Sequence, residues 1–313
     1  MTKQRFSMQK VKTIFFGTQH FAATILQGLL NSDIVSVEMV FTQPDRKTGR
    51  KQIVEESPVK KLARKYNLKI EQPESLKGYM LHAMGYELGI VAQYGLIIPK
   101  TIIDSFPQGM INVHGSLLPK YRGASPIQIA IVNGEKETGV TIMLMDEKMD
   151  HGPILSQKEL PIDPNDTFTT LASKMAMVGS ELLLNTLPES LNGKLETKPQ
   201  DESQATFTKL LTKKDGLVDF NKTAEQIYNL YCGLIPWPGI WTTWNGKRLK
   251  LLKIAKSQNI LPAGRVTAKD GKIFIGCADG SIEVLELQLE GKSAMGARAF
   301  LSGYANINNA TLG

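Results

Sequence analysis

The stretch Val11 to Phe41, VKTIFFGTQHFAATILQGLLNSDIVSVEMVF, decides the fold. Val11 to Gly17 is a short apolar run ending in glycine, which predicts a buried first strand. Phe21, Ile25, Leu29 and Leu30 then recur at helical spacing, so Phe21 to Leu30 is expected to be a helix. Ile34 to Phe41 alternates and then runs apolar, predicting a second strand. A chain that opens β-α-β favours a parallel sheet with right-handed crossovers. The turn Gly17-Thr18-Gln19-His20 holds one glycine and lacks the G-x-G-x-x-G fingerprint, so a doubly wound scaffold is expected without a dinucleotide site.

Working outward, Thr42 to Ser57 is a long polar connection carrying Arg46, Lys47, Arg50 and Lys51. Loops beyond about 12 residues inside a domain are usually functional or disordered. Pro58 marks a helix start and Val59 to Tyr66 continues it. A strand near Leu68 to Glu71, a helix near Glu74 to Met84 and a strand at Leu88 to Tyr94 extend the pattern. Loops after strand C-termini line the crevice of such a sheet, which draws attention to Leu96, Ile97 and Ile98. Met110 to His114 reads as the next strand, and Ser125-Pro126 as the cap and first residue of a helix through Val132. Thr138 to Met145 and Ile154 to Pro161 are expected to be strands joined by the acidic loop Asp146 to Gly152, and Asp166 to cap a long helix from Thr167 to about Leu187.

The polar stretch from Leu191 is read as a linker, giving domains 1–190 and 208–313 with 191–207 between them. Beyond it, a helix at Ala224 to Tyr231 precedes five short β-like runs, with hairpin signals at Asn245-Gly246 and Asp279-Gly280. That density of strands predicts a small barrel of the oligonucleotide-binding (OB) type.

Composition bounds the rest. At 313 residues two domains are expected, and 42% hydrophobic with 21% charged residues is ordinary for a soluble protein. A net charge of +7 permits a polyanionic partner without requiring one. Two cysteines, Cys232 and Cys277, sit in apolar sequence without paired spacing and fit reduced thiols of a cytoplasmic protein. No apolar run reaches the roughly 18 residues of a membrane span. The opening MTKQRFSMQK lacks the apolar core of a signal peptide. No metal-ligand cluster is legible.

The chemistry concentrates between Met110 and Leu155, in an amide (Asn112), an imidazole (His114) and a carboxylate (Asp150). Positions 112 and 114 of one strand share a face, so both can meet a single substrate oxygen. Such donors suit an oxyanion hole, where losing one typically costs about 10²–10³ in rate. Asp150 could fix the imidazole's tautomer, or take a proton from an attacking amine directly or through water. Each feature also has a plain structural reading, since Asn and His often cap backbone groups and Asp beside glycine is often a turn residue.

The run Asn112-Val113-His114-Gly115-Ser116-Leu117-Leu118-Pro119, with Tyr121-Arg122-Gly123 and Asp150-x-Gly152, resembles the folate-dependent formyltransferases. The resemblance extends over the chain, through Thr42-Gln43-Pro44-Asp45-Arg46, Ser57-Pro58-Val59-Lys60, Gln72-Pro73-Glu74-Ser75-Leu76 and Pro236-Trp237-Pro238-Gly239, and points to members acting on methionyl initiator tRNA. It implies a Rossmann-like formyltransferase domain followed by an OB-like domain. The implied reaction moves the formyl group of 10-formyltetrahydrofolate to the methionine amine, without a metal, in a monomer. By the same resemblance Asn112 and His114 stabilise the oxyanion, and Asp150 orients His114 and manages the proton. Leu96, Ile97, Ile98, Ser116, Leu117, Leu118, Pro119, Asp146 and Glu147 would form the folate site. Arg46, Lys47, Arg50, Lys51, Lys247, Arg248 and Lys250 would grip tRNA, with Lys253 beside them. The chain departs from the family's usual pattern at Gln19-His20 and at His151.

Two rival readings fit the same residues. A sugar-nucleotide N-formyltransferase or the formyltetrahydrofolate dehydrogenase hydrolase domain would share the Asn-x-His…Asp pattern. A folate- or RNA-binding relic would lack turnover.

Overall fold

The computed structural model describes residues 10–48, 53–81 and 85–313. The elements run β1 (Val11–Gly17), α1 (His20–Leu30), β2 (Val35–Phe41), β3 (Arg46–Thr48), β4 (Ile53–Glu55), α2 (Pro58–Lys65), β5 (Lys69–Glu71), β6 (Leu88–Ala92), α3 (Lys100–Ile103) and β7 (Met110–His114). Then come β8 (Arg122–Gly123), α4 (Pro126–Val132), β9 (Glu137–Leu144), β10 (Ile154–Pro161), α5 (Phe168–Leu191) and β11 (Phe207–Thr208). The C-terminal part adds α6 (Ala224–Leu234), β12 (Ile240–Trp244), β13 (Lys247–Ser257), β14 (Val266–Lys269), β15 (Lys272–Gly276), β16 (Ser281–Leu289), β17 (Met295–Gly296) and α7 (Ala297–Gly303).

Seven strands form the first sheet, in the order β10-β9-β7-β6-β1-β2-β5. The five from β5 to β7 are mutually parallel, while β9 runs antiparallel to both β7 and β10. From β1 the chain steps outward through β2 and β5, then returns to set β6 on the other flank of β1. Strand order therefore reverses between β1 and β6, where a doubly wound sheet opens its ligand crevice. β7 pairs directly with β6, which brings Asn112 and His114 beside that switch point.

Packing fixes which way those side chains face. On α5, a Cβ added at Gly179 would stand 3.1 Å from Val113 and 3.2 Å from Val140. Val113 thus turns toward α5, and strand alternation leaves Asn112 and His114 on the opposite face. Ile14, Phe16, Met39, Phe41 and Val91 build a cluster with Tyr94, Ile98, Ile102 and Phe106, in which the Phe16 and Phe41 rings stack at 4.7 Å. Each such fully buried side chain contributes roughly 1.5–3 kcal/mol.

The chain divides into two units. The first comprises the chain up to Ala124 with Glu137–Pro161 and Ala172–Thr208, and the second Ser125–Lys136, Ile162–Leu171 and Lys209–Gly313. The expected linker 191–207 thus groups with the first unit. Residues 125–136 group with the second because α4 packs on α6, so tightly that a Cβ at Gly233 would meet Val132 at 2.6 Å. The second unit holds an antiparallel OB-like sheet in the order β12-β13-β16-β15-β14, with β17 on β16. Asn245-Gly246 takes the left-handed conformation of a tight hairpin turn, as does Asp270-Gly271, whereas Asp279-Gly280 closes its turn without positive φ.

Three local expectations need correction. No helix forms over 74–81: the Ser75 hydroxyl accepts the Lys77 amide and Gly78 turns at positive φ, so local turn bonding replaces helical bonding. Residues 82–84 of that expected helix lie outside the described residues. The 42–57 connection contains a short hairpin, β3 paired with β4. Finally, α5 is capped by Thr167, whose hydroxyl accepts the Thr170 amide at 3.3 Å. Asp166 instead binds the Thr170 hydroxyl at 2.8 Å.

Candidate active site

Asn112, His114 and Asp150 meet at one place. The Asn112 amide donates to Asp150 Oδ1 at 3.3 Å, and His114 Nδ1 lies 3.6 Å from the same oxygen. His114 is 6% exposed. Its Nε2 stands 3.0 Å from the Tyr121 carbonyl, which can only accept, so this nitrogen carries the hydrogen. The expected tautomer lock by Asp150 is therefore supplied by a backbone carbonyl on the other side of the ring. Nδ1 is left facing the carboxylate and the crevice.

Asp150 adopts a left-handed backbone (φ 49°), which aspartate tolerates better than most residues. Its Oδ2 accepts the Gly123 amide at 2.8 Å. Its own carbonyl, with that of Gly152, accepts from the Gln200 carboxamide at 2.9 and 2.8 Å. The carboxylate is thus aimed from three directions, and 15% of its side chain stays open to solvent. One Asn112 N–H remains for a substrate oxygen, since the amide carries two donors.

The turn between His114 and Gly123 supplies this frame. The Ser116 hydroxyl donates to the Lys120 carbonyl at 2.6 Å, and Thr141 binds the Ser116 carbonyl and the Leu118 amide. β8 pairs with β11, and Tyr121 donates its amide to the Thr206 hydroxyl at 2.8 Å. Sequence reasoning quoted Tyr121 and Gly123 within the motif without a role, because they act through backbone atoms, and missed Thr206 and Gln200, which belong to a polar stretch without periodicity.

The expected folate residues divide. Ile97 is 84% exposed and Leu96 half-buried, but Ile98 is buried in the aromatic cluster and so is unavailable as a lining. Ser116 and Leu118 are buried within the turn, Leu117 and Pro119 are half-buried, and these four act as its scaffold. Glu147 is exposed, while Asp146 holds His151 Nδ1 at 2.5 Å.

Of the expected tRNA contacts, Arg46 is exposed and Lys47 follows it on β3, whereas Arg50 and Lys51 lie outside the described residues. The root of that hairpin is tied down where Lys60 Nζ meets Asp45 at 2.5 Å, and Gln72 donates to Asp45 at 3.0 Å. These bonds, Lys60's foremost, hold the Asp45 carboxyl below its ordinary range. On β13, Lys247, Lys250 and Lys253 are exposed, and Arg248 stacks over Trp241 at 4.2 Å from the ring centre. Among the described residues no group of three or more His, Cys, Asp or Glu could hold a metal, and no helix is long and apolar enough to cross a membrane.

Comparison with known proteins agrees with this geometry. The formyl transferase profile matches residues 9–187 and its C-terminal domain profile matches 210–305. The chain is 43% identical to the methionyl-tRNA formyltransferase of Lactococcus lactis subsp. lactis, over 95% of this chain and 96% of that protein. It is 42% identical to that of Caldicellulosiruptor saccharolyticus, over 93% of this chain and 96% of that one. Among solved structures, WlaRD, a sugar 3N-formyl transferase crystallised with dTDP and 5-N-formyl-THF, superposes with a TM-score of 0.65 at 21% identity, covering 91% of this chain and all of that one. On these matches, and with the paired-strand geometry of its site, the chain belongs to the formyl transferase family.

Proposed function

We propose that this chain transfers the formyl group of 10-formyltetrahydrofolate to the amino group of methionyl initiator tRNA. The observation that carries the reading is the meeting of Asn112, His114 and Asp150 at the end of β7, beside the sheet's switch point. The names of its relatives supply the substrate, and the folate bound by the sugar enzyme supports the donor.

In this reading the methionine amine attacks the formyl carbon and a C–N bond forms. The carbonyl electron pair moves onto oxygen, which accepts from the free Asn112 N–H and, with Nε2 already holding its hydrogen against the Tyr121 carbonyl, from Nδ1 of His114 in the imidazolium form. Asp150 takes the proton lost by the amine, directly or through one water. The oxyanion's electron pair then re-forms the carbonyl as the bond to N10 breaks, and Asp150 returns the proton it took to that nitrogen, which leaves as tetrahydrofolate. Ile97 and Leu96 offer apolar surface to the pterin, and the Asp146 to Asp150 loop its polar edge. Arg46, Lys47, Arg50 and Lys51 contact the acceptor end, while Lys247, Arg248, Lys250 and Lys253 hold the tRNA body by charge. The proposal extends to a monomer working in the cytoplasm, where charged initiator tRNA is used.

The test mixes the protein with charged initiator tRNA and 10-formyltetrahydrofolate and measures N-formylmethionine after deacylation. Formylated methionine supports the reading. Its absence, or formylation of a dTDP-amino sugar in preference to the tRNA, overturns it.

A further inference from the structure

The stretch between the two family-matched segments, 188–209, reaches into the site. Gln200 lies there, 50 residues from Asp150, yet its carboxamide is saturated by four contacts around the catalytic loop. Its Nε2 donates to the Asp150 and Gly152 carbonyls, and its Oε1 accepts from Arg122 Nε at 3.0 Å and Nη2 at 2.9 Å. The orientation is forced: carbonyls only accept and guanidinium only donates, so the amide cannot be flipped. Arg122 is itself 2% exposed, and two further donors reach Glu202 at 3.1 and 2.6 Å. That pairing lowers the Glu202 carboxyl from its ordinary value. Glu202 also stands 3.5 Å from His151, the residue after Asp150.

A guanidinium this buried needs complete hydrogen bonding, and here its partners serve a second purpose. Arg122 orients Gln200, and Gln200 grips the peptide carbonyls on either side of His151. Asp150 is thereby held in its left-handed conformation with its carboxylate toward His114. The side chains of Arg122 and Gln200 bond to each other, to Glu202 and to the loop's carbonyls, not to His114 or the Asp150 carboxylate. The direct route from Gln200 to the site therefore runs through the backbone of the loop that carries Asp150. We propose that Gln200, locked by Arg122, is a positioning residue that presents Asp150 to the reacting amine. The inference rests on the reading that Asp150 and His114 carry the chemistry.

Gln200→Glu separates positioning from mere bracing. A carboxylate keeps, and strengthens, the tie to Arg122 but offers no donor to the two carbonyls. A structural strap would tolerate it; a positioning device would not. Gln200→Met, neutral and of similar length, removes both functions. Steady-state formylation of charged initiator tRNA should show kcat reduced about 10- to 100-fold in both variants, with KM for tRNA and folate within about twofold, as expected when a reacting group is misplaced by a fraction of an ångström. Thermal melts establish that each variant is folded.

An independent readout needs no turnover. Only four histidines occur (His20, His82, His114 and His151), so the imidazole nitrogens of the free protein can be resolved by NMR, with His114 assigned by its loss in His114→Ala. The His114 Nδ1 resonance should move in Gln200→Glu. If the wild type formylates tRNA and either folded variant keeps kcat within twofold, the inference fails while the proposed function stands. If the wild type does not formylate tRNA, the function fails, and an unmoved His114 resonance in folded Gln200→Glu overturns the positioning role separately.

Discussion

Replacing Gly123 by alanine tests how tightly the turn controls the site. Gly123 has φ 109°, and a Cβ there would sit 2.3 Å from the Thr208 carbonyl oxygen and 3.2 Å from its hydroxyl. The obstacle is the backbone of the paired strand, so it cannot swing aside as a side-chain tip would. Moving the methyl to about 3.0 Å, the shortest real contact, requires a shift of about 0.7 Å (3.0 less 2.3). The Gly123 amide now donates to Asp150 Oδ2 at 2.8 Å, so a shift of that size along the bond takes it to about 3.5 Å, the limit of a hydrogen bond. Losing one charge-assisted bond costs about 1.5–3 kcal/mol, and the unfavourable φ adds about 1–3 kcal/mol of folding strain. Since about 1.36 kcal/mol is tenfold in rate, kcat should fall roughly 10- to 100-fold, while the lost bond and the strain together reduce stability by about 2.5–6 kcal/mol. Steady-state formylation gives the first figure and urea unfolding the second. A folded Gly123→Ala protein with wild-type kcat would show that the amide does not aim Asp150, and the reasoning would be refuted.

Other perturbations act on separate parts. Asn112→Ala should lower kcat about 10²–10³-fold while tRNA affinity, read by filter binding, stays unchanged; a loss seen only in affinity would remove Asn112 from the oxyanion site. Binding of tRNA should weaken as salt rises, and Lys250→Ala should lower the slope of log affinity against log salt by about 0.7–0.9; an unchanged slope would mean Lys250 touches no phosphate. Asp215 is held down to about 2, first by its bond to Lys209 and then by Thr212. Its folded pKa lies below the ordinary value of 3.8, so its stabilising contribution is present above pH 3.8 and lost as pH falls through about 2. Asp215→Asn should therefore be less stable than wild type at pH 5 and approach it near pH 2; parallel acid-unfolding curves would contradict this.

Much of the scaffold was readable because its signals are local. The apolar run at Val11–Gly17, the helical spacing after it and the proline at position 58 report backbone states that neighbouring residues enforce. Asn112 and His114 were readable too, because strand alternation alone puts them on one side. The expected helix at 74–84 failed over its described part where serine and glycine offered the backbone a competing set of turn bonds. Ile98 was misplaced for a related reason: apolarity does not distinguish a surface waiting for a ligand from a core already filled.

The sequence by itself determined the doubly wound opening, the antiparallel C-terminal strands and the three candidate side chains, Asn112, His114 and Asp150. Only the tertiary structure decided that a backbone carbonyl at Tyr121 sets the imidazole's tautomer, and that Gln200 and Arg122 fix the loop carrying Asp150. Period and propensity act over a few residues along the chain. Hydrogen bonds to partners 50 or 78 residues away depend on where the folded backbone passes, and no local pattern records that.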